Sequence, residues 1–124
     1  SYNRYADEVA FFSARGPSKW NGLIGPNLIA LGDSVVSADL GGTDKYTERM
    51  GTSMASPQAA GVVALLWSAR PELIGQIDRT IEILQKSASP VKSSESCGGV
   101  SGRAVPNSSA GYGILDAYAA LKYH

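Results

Sequence analysis

The sequence is poor in the residues that cross-link chains or bind metals. It has one cysteine, Cys97, and one histidine, His124, among 124 residues. A single cysteine excludes a disulfide within the chain. Because no histidine is near it in sequence, we interpret Cys97 as a structural or exposed thiol. Charge of one sign is also lacking, since 11 basic residues balance 11 acidic ones. This balance argues against a nucleic-acid partner.

Long hydrophobic runs are absent as well. The longest, residues 59–67, is broken by Gly61 and is too short to span a bilayer, so we expect no membrane partner. The opening SYNRYADEVAFF has no charged-then-apolar leader, so no signal peptide is expected within it. A leader removed earlier or lying upstream would leave the same sequence. The length suits one domain with a core of its own.

Short apolar runs predict strands. We expect strands at Val9–Ser13, Leu28–Leu31 and Val35–Ala38, with a further strand at Lys45–Arg49. The first three are apolar on both faces, which is typical of parallel strands covered by helices on each side.

Three helices are expected in the second half of the chain. Residues 59–69 are apolar on every side and predict a helix buried all round, ended by Arg70-Pro71. Residues 74–87 predict an amphipathic helix with Ile77, Ile81 and Leu84 on its apolar face. Residues 113–121 predict a strand or turn and then a last helix.

Two further features are a polar stretch between the second and last helices and a shortage of elements to cover the apolar strands and central helix. Residues 87–111 are rich in Ser, Gly and Pro and predict a long loop. A helix buried all round and three two-sided strands need more cover than the remaining elements supply. The sequence therefore predicts part of a domain rather than a whole one.

The segment GTSMASP, residues 51–57, has two readings at the start of the central helix. In one, Ser56 caps the helix, Pro57 is its first residue, and Ser53 is an ordinary loop residue. In the other, Ser53 lies at the helix N-terminus as a nucleophile, and its own N–H is free to stabilise an oxyanion. Gly51 would let a substrate backbone come close. Local rules alone favour the first reading, with the helix starting at Ser56 or Pro57.

The same segment strongly resembles the nucleophile motif of the subtilisin-like serine proteases, the subtilases. Other segments resemble the family in the right order along nearly the whole chain: FFSARGP at 11–17, NLIALGDSVVSA at 27–38, RPEL at 70–73 and GYGILDAYAAL at 111–121. The seven-residue serine motif is highly specific, and the flanking matches are weaker individually. The resemblance implies an α/β fold, namely the C-terminal portion of a three-layer subtilisin-like domain with a mostly parallel sheet and a buried central helix.

The resemblance also implies roles for residues of this chain. Ser53 is the expected nucleophile, and its N–H is one oxyanion donor, with Thr52 supporting that hole. Met54 is expected beside the leaving group. The helix should begin at Thr52 or Ser53, with Pro57 inside its first turn. We expect apolar surface to be exposed on the faces of residues 9–13 and 28–31, and on one side of residues 59–67.

Some family features differ or are missing. Gln58 stands where the family usually has histidine, and Leu31 where it usually has proline. The family's triad aspartate and histidine and its oxyanion asparagine precede the region that this chain resembles, and none of their motifs is present. His124, on the last helix, is in the wrong place to replace the missing histidine. The aspartates show no family context for a triad acid: Asp7, Asp33, Asp39, Asp44, Asp78 and Asp116.

The resulting hypothesis is that residues 1–124 are the C-terminal fragment of one subtilase catalytic domain. Completed by an upstream fragment carrying the Asp and the His, it would be a secreted endopeptidase acting on peptide or protein substrates through an acyl-enzyme on Ser53. We expect no metal or other cofactor in this chain, although calcium is possible in the complete enzyme. One alternative is a catalytically inactive relic or binding module. The other is an unrelated α/β domain in which Ser53 is only a cap.

Overall fold

The computed structural model describes all of residues 1–124 and shows short strands around one long helix. A 3₁₀ turn at Pro71–Leu73 separates the first two helices. In chain order the strands and helices are β1 Tyr2–Asn3, β2 Glu8–Val9, β3 Val35–Ala38, β4 Tyr46–Arg49, α1 Thr52–Ala69, α2 Ile77–Ser87, β5 Ser96–Cys97, β6 Val100–Ser101 and α3 Ala117–Lys122.

The strands form three antiparallel pairs: β1 with β2, β3 with β4, and β5 with β6. Parallel pairing occurs on both sides of the Leu28–Leu31 segment, as single bridges between Leu31 and Tyr2 and between Ile29 and Ile114. The predicted strand at Val9–Ser13 is wrong beyond Val9, because the chain turns there and the Ser13 N–H donates to the carbonyl of Ala10.

The strand expected at Val35–Ala38 is present, but its predicted burial on two faces is wrong. It pairs with β4 from Val35 opposite Arg49 to Ala38 opposite Tyr46, and most of the hairpin is exposed. Val36 retains 62% of its accessible surface. An antiparallel hairpin needs no crossover helix, so nothing in the connection forces a covering layer onto it.

Helix α1 begins at Thr52, as the resemblance implies. Its N-cap is Gly51, whose φ of 146° is a conformation that side-chain-bearing residues rarely adopt. The expected place of Pro57 in the first turn is wrong, because Pro57 is the sixth residue of α1. Proline has no N–H, so the carbonyl of Ser53 does not receive the bond that residue 57 would donate in a regular helix. The helix ends before Arg70-Pro71, as predicted.

Helix α1 is largely uncovered within this chain. Only Ala55 and Leu66 are buried, while Leu65 is 56% exposed. The chain exposes 7774 Å² in total. A compact monomer of its mass exposes about 6,300 Å². The expectation of uncovered apolar surface is confirmed for α1 and for Phe11, which is 85% exposed, whereas Ile29 is buried.

The main core lies where the helices meet. α1, the 3₁₀ turn, α2 and α3 contribute the buried side chains Leu66, Leu73, Ile83, Leu84 and Ala120. The predicted apolar face of α2 is partly wrong, because Ile77 and Ile81 are exposed and the buried residues are Thr80, Ile83 and Leu84. The indole N–H of Trp67 donates to the Thr80 hydroxyl at 3.0 Å, which turns this side of α2 toward α1.

The predicted long loop at residues 87–111 is ordered in two places. One is the β5–β6 hairpin, and the other is the turn at residues 107–111, which is buried throughout. The Asn107 side chain organises the turn, since its amide nitrogen donates to three carbonyls and its oxygen accepts from the N–H groups of Ser109 and Ala110. A polar, glycine-containing segment lacks the apolar signal of a core, which explains why the sequence pattern did not predict this burial.

Candidate active site

Ser53 is the second residue of α1 and is exposed to solvent. Neither its hydroxyl nor its N–H makes a hydrogen bond within the chain. The N–H is one of the unpaired donors that every helix N-terminus carries, and the positive end of the helix dipole lies there. A hydroxyl and a free donor on one exposed residue suit attack on a carbonyl whose oxygen becomes negative.

The turn before Ser53 is fixed by backbone contacts. The Gly51 N–H donates to the carbonyl of Gly32 at 2.7 Å, and the Met54 N–H donates back to the carbonyl of Gly51 at 3.0 Å. Gly32 is buried, and a Cβ atom at this position would lie 2.7 Å from the Gly51 carbonyl oxygen. Only glycine therefore fits here. Gly32 was not predicted as a site residue, and its position between two apolar runs was the available signal.

A cavity of about 260 Å³ opens beside Ser53. Ser53, Met54 and Pro57 line one wall, and side chains of β3 and β4 line the other. Arg49 is the charged residue of this lining, and its guanidinium lies 3.7 Å from the carboxylate of Asp39. Both side chains are substantially exposed, so this ion pair leaves the Arg49 charge accessible to a ligand.

Thr52 and Met54 lie on different flanks of the helix N-terminus. Met54 lines the cavity beside Ser53, whereas Thr52 lines a second cavity of about 320 Å³, with walls formed by Leu28, Ala55 and Ala59 among others. Of the four residues expected at the site, Ser53 and Met54 line one cavity and Thr52 lines the other, whereas Gly51, the N-cap of α1, lines neither.

Gln58 and Leu31, the two residues that depart from the family pattern, are in contact with each other. The side-chain amide of Gln58 donates to the carbonyl of Leu31 at 2.8 Å and to the carbonyl of Met54 at 3.3 Å. Each position departs from the family pattern on its own, and no local pattern indicates that the two residues meet across 27 residues.

His124 lies at the opposite end of α1 from Ser53. The Arg70 side chain, just beyond the C-terminus of α1, donates to the carbonyl of Tyr123 at 2.8 Å. Because α1 has 18 residues, its ends are about 27 Å apart at 1.5 Å per residue. The structure therefore does not bring the histidine of this chain to Ser53.

No three His, Cys, Asp or Glu side chains come together closely enough to hold a metal ion. None of the helices combines the length and the apolar character needed to cross a membrane.

Comparison with known proteins assigns the chain to a family. A sequence model of the subtilase family, peptidase S8, matches residues 1–113. The chain belongs to the subtilase family, whose members are serine proteases.

Individual relatives agree with this assignment. The chain is 41% identical to subtilisin-like protease SBT1.2 of Arabidopsis thaliana, over 53% of the chain and 10% of the relative. It is 40% identical to the minor extracellular protease Vpr of Bacillus subtilis, over 53% of the chain and 9% of the relative. It is 35% identical to subtilisin-like protease SBT3 of Solanum lycopersicum, over 73% of the chain and 14% of the relative. The chain thus spans about a tenth of the length of the curated relatives that it matches.

A solved structure matches the fold. The CspB protease of Clostridium perfringens superimposes with a TM-score of 0.77 and 29% identity, over 98% of this chain and 24% of that one. The predicted α/β fold, as part of a subtilisin-like domain, is confirmed by this match.

Proposed function

We propose that this chain is the part of a subtilisin-like serine endopeptidase that carries the nucleophile, and that it hydrolyses peptide bonds once an upstream fragment completes the site. The observation that carries the proposal is the exposure of Ser53 as the second residue of α1, with its hydroxyl and its N–H both unpaired. Family membership gives this serine its expected role.

The reaction divides between the chain and the upstream fragment. The Ser53 hydroxyl attacks the peptide carbonyl while an upstream histidine accepts its proton, and the N–H of Ser53 stabilises the oxygen that becomes charged. The same histidine then protonates the leaving amine, and water resolves the Ser53 ester. Thr52 supports the oxyanion site, and Met54 lies beside the leaving group.

The need for an upstream fragment follows from the position of His124 and from the uncovered surface. His124 is at the far end of α1, so the proton acceptor must come from elsewhere. Helix α1 leaves apolar residues such as Leu65 exposed, which suits a face covered by another segment. We propose no metal or other cofactor held by this chain itself.

The proposed location is extracellular. Its support is family membership together with the name of the Bacillus relative, which describes that protein as extracellular.

A fluorophosphonate probe tests the proposal, because it labels only activated serines. The samples are the chain alone, the chain assembled with an upstream fragment carrying the Asp and the His (the completed domain), and the completed domain with Ser53→Ala. We expect labelling only of the unsubstituted completed domain, because an unassisted serine hydroxyl is a poor nucleophile at neutral pH.

The other outcomes assign different functions. Labelling of the isolated chain that is lost with His124→Ala would indicate a self-contained serine–histidine site. No labelling of the completed domain, despite verified assembly, would indicate the catalytically inactive relic instead.

A further inference from the structure

We infer that Gln58 is a positioning residue for the turn that carries Ser53, and that it acts through the carbonyl of Leu31; this inference rests on the proposed function. The Gln58 amide nitrogen lies 2.8 Å from the carbonyl oxygen of Leu31 and 3.3 Å from that of Met54. One side chain therefore ties α1 to the segment that runs beneath its N-terminus.

A short path of contacts leads from Leu31 to Ser53. Gly32 follows Leu31, and its carbonyl accepts the Gly51 N–H at 2.7 Å. The Gly32 Cα atom also lies close to Gly51, because a Cβ atom added at Gly32 would lie 2.7 Å from the Gly51 carbonyl oxygen. A shift of the Leu31 carbonyl is thus transmitted to Gly51, two residues before Ser53.

Other restraints at this end of α1 are few. The helix has no side-chain hydrogen bond at its N-cap and no acidic residue in its first turn. Leu31 has no ring to fix its own φ, unlike a proline. The neighbouring backbone bonds come from β1, where the Tyr2 N–H donates to the carbonyl of Ala30 at 2.9 Å and the Gly32 N–H donates to the carbonyl of Tyr2 at 3.2 Å. Gln58 is the side chain that joins this segment to α1.

This arrangement predicts an effect on the chemical step rather than on substrate binding. Gln58 does not line the cavity beside Ser53. Catalysis is sensitive to placement, and a misplacement of about 1 Å can slow a reaction by about 100-fold. Loss of the Gln58 donor should therefore lower kcat more than it raises KM.

The test compares variants of the completed domain. Gln58→Met keeps the length of the side chain but removes the donor, whereas Gln58→His restores an N–H at a similar reach. Gln85→Met is the matched control, because Gln85 is also half-buried in a helix but its side chain makes no hydrogen bond. We expect kcat to fall by about tenfold or more in Gln58→Met, and by less than about threefold in Gln58→His and Gln85→Met.

Two kinetic results would overturn the inference: unchanged kcat in Gln58→Met, or an equal loss in the Met and His variants. Amide hydrogen exchange at Gly51 provides a readout that does not require catalysis. We expect exchange to be at least about tenfold faster in Gln58→Met than in the unsubstituted protein, because the Gly51–Gly32 bond opens more often.

This second readout separates the inference from the proposed function. If the unsubstituted completed domain is not labelled by the fluorophosphonate probe, the proposed function fails. Faster Gly51 exchange in Gln58→Met would then still support the positioning of the turn, and unchanged exchange would overturn it.

Discussion

At the scale of single residues, the exposed position of Ser53 depends on two glycines, which have no side chain that could react. Gly51 adopts a conformation that favours glycine, and Gly32 leaves just enough space for the Gly51 backbone. These glycines let the chain enter α1 with Ser53 exposed and its N–H unpaired. Arg49, across the adjacent cavity, adds charge to this otherwise uncharged surface.

Arg49 is expected to influence which peptides the completed domain cleaves. Arg49 lines the cavity beside Ser53, so a substrate with an acidic residue there should be preferred. Arg49→Glu should shift the preference toward basic residues by up to about fivefold, since an exposed ion pair contributes up to about 1 kcal/mol. Cleavage of paired peptides with an acidic or a basic residue next to the scissile bond measures the change. Arg79→Glu on α2 is the control, and an identical preference in both variants would exclude this role.

Asn107 is expected to be a major determinant of stability. Asn107→Asp keeps the oxygen that accepts from Ser109 and Ala110, but it places a second oxygen against three carbonyls. We expect the free energy of unfolding to fall by about 3 kcal/mol or more, because a buried charge would lie among unpaired acceptors.

Urea unfolding followed by circular dichroism measures this difference. Asn21→Asp is the matched control: Asn21 is exposed and uses only its side-chain oxygen, which accepts from Leu23. Equal unfolding midpoints for the two variants would show that the hydrogen bonds of Asn107 do not support the turn.

At the scale of elements, separate loops are joined by one ion pair. Arg15 binds both oxygens of Glu95, at 2.7 and 3.2 Å, and also donates to the carbonyl of Ala10. The hydrogen bond from Arg15 holds the pKa of Glu95 below its usual value. This contact fastens the turn after β2 to the loop that leads into β5.

The lowered pKa gives this contact a defined pH dependence. The folded state favours the Glu95 carboxylate. The contribution of the Arg15–Glu95 pair to the free energy of unfolding is therefore complete above the ordinary glutamate pKa, and it is lost as the pH falls through the lower pKa of Glu95 in the folded state. Glu95→Gln should lower stability by at most about 1 kcal/mol at neutral pH, since solvent screens the exposed pair. The difference should disappear in acid.

Thermal unfolding of Glu95→Gln and of the unsubstituted protein, at neutral pH and at about pH 3, checks this expectation. Glu48→Gln on β4 is the control, because Glu48 is exposed and forms no ion pair in the structure. A Glu95→Gln deficit that persists unchanged in acid would contradict the electrostatic origin.

At the scale of the whole molecule, the exposed area is the distinctive feature. The chain exposes 7774 Å². That is about 1,400 Å² more than a compact monomer of its mass. The core joins α1 to α2 and α3 on one side only, so the other side of α1 suits a partner segment.

Gly61 tests whether that side of α1 is covered in the completed domain. A Cβ atom at Gly61 meets nothing within 4 Å in this chain. Gly61→Ala should therefore stabilise the isolated chain by about 1 kcal/mol through helix propensity. If an upstream fragment packs closely here, the added methyl group should weaken its binding about tenfold, because overpacking costs about 1–3 kcal/mol.

Chemical unfolding of the isolated chain and titration with the upstream fragment measure the two effects. Ser68→Ala, an exposed change on the same helix, raises propensity without filling the Gly61 site. Binding of the fragment that is equally tight to all three proteins would show that the Gly61 face is not packed closely.

The sequence by itself determined those elements whose backbone conformation is set by neighbouring residues in the chain. It predicted the end of α1 before Arg70-Pro71, the β3 strand and a last helix, because proline and apolar spacing restrict φ and ψ within a few residues. The start of α1 at Thr52 was implied by the family resemblance, whereas the local cap pattern at Ser56-Pro57 predicted a later start. The serine motif also led to the family. The assignment of Ser53 as the nucleophile remains a prediction.

Only the tertiary structure decided which faces are covered and which distant groups meet. It exposed β3 and the isoleucines of α2, buried the polar turn at Asn107, and joined Gln58 to Leu31. Apolar periodicity indicates that a face prefers to be covered, but the covering segment is distant in the chain or belongs to another one. Burial and long-range hydrogen bonds are therefore set by packing, which local sequence patterns do not encode.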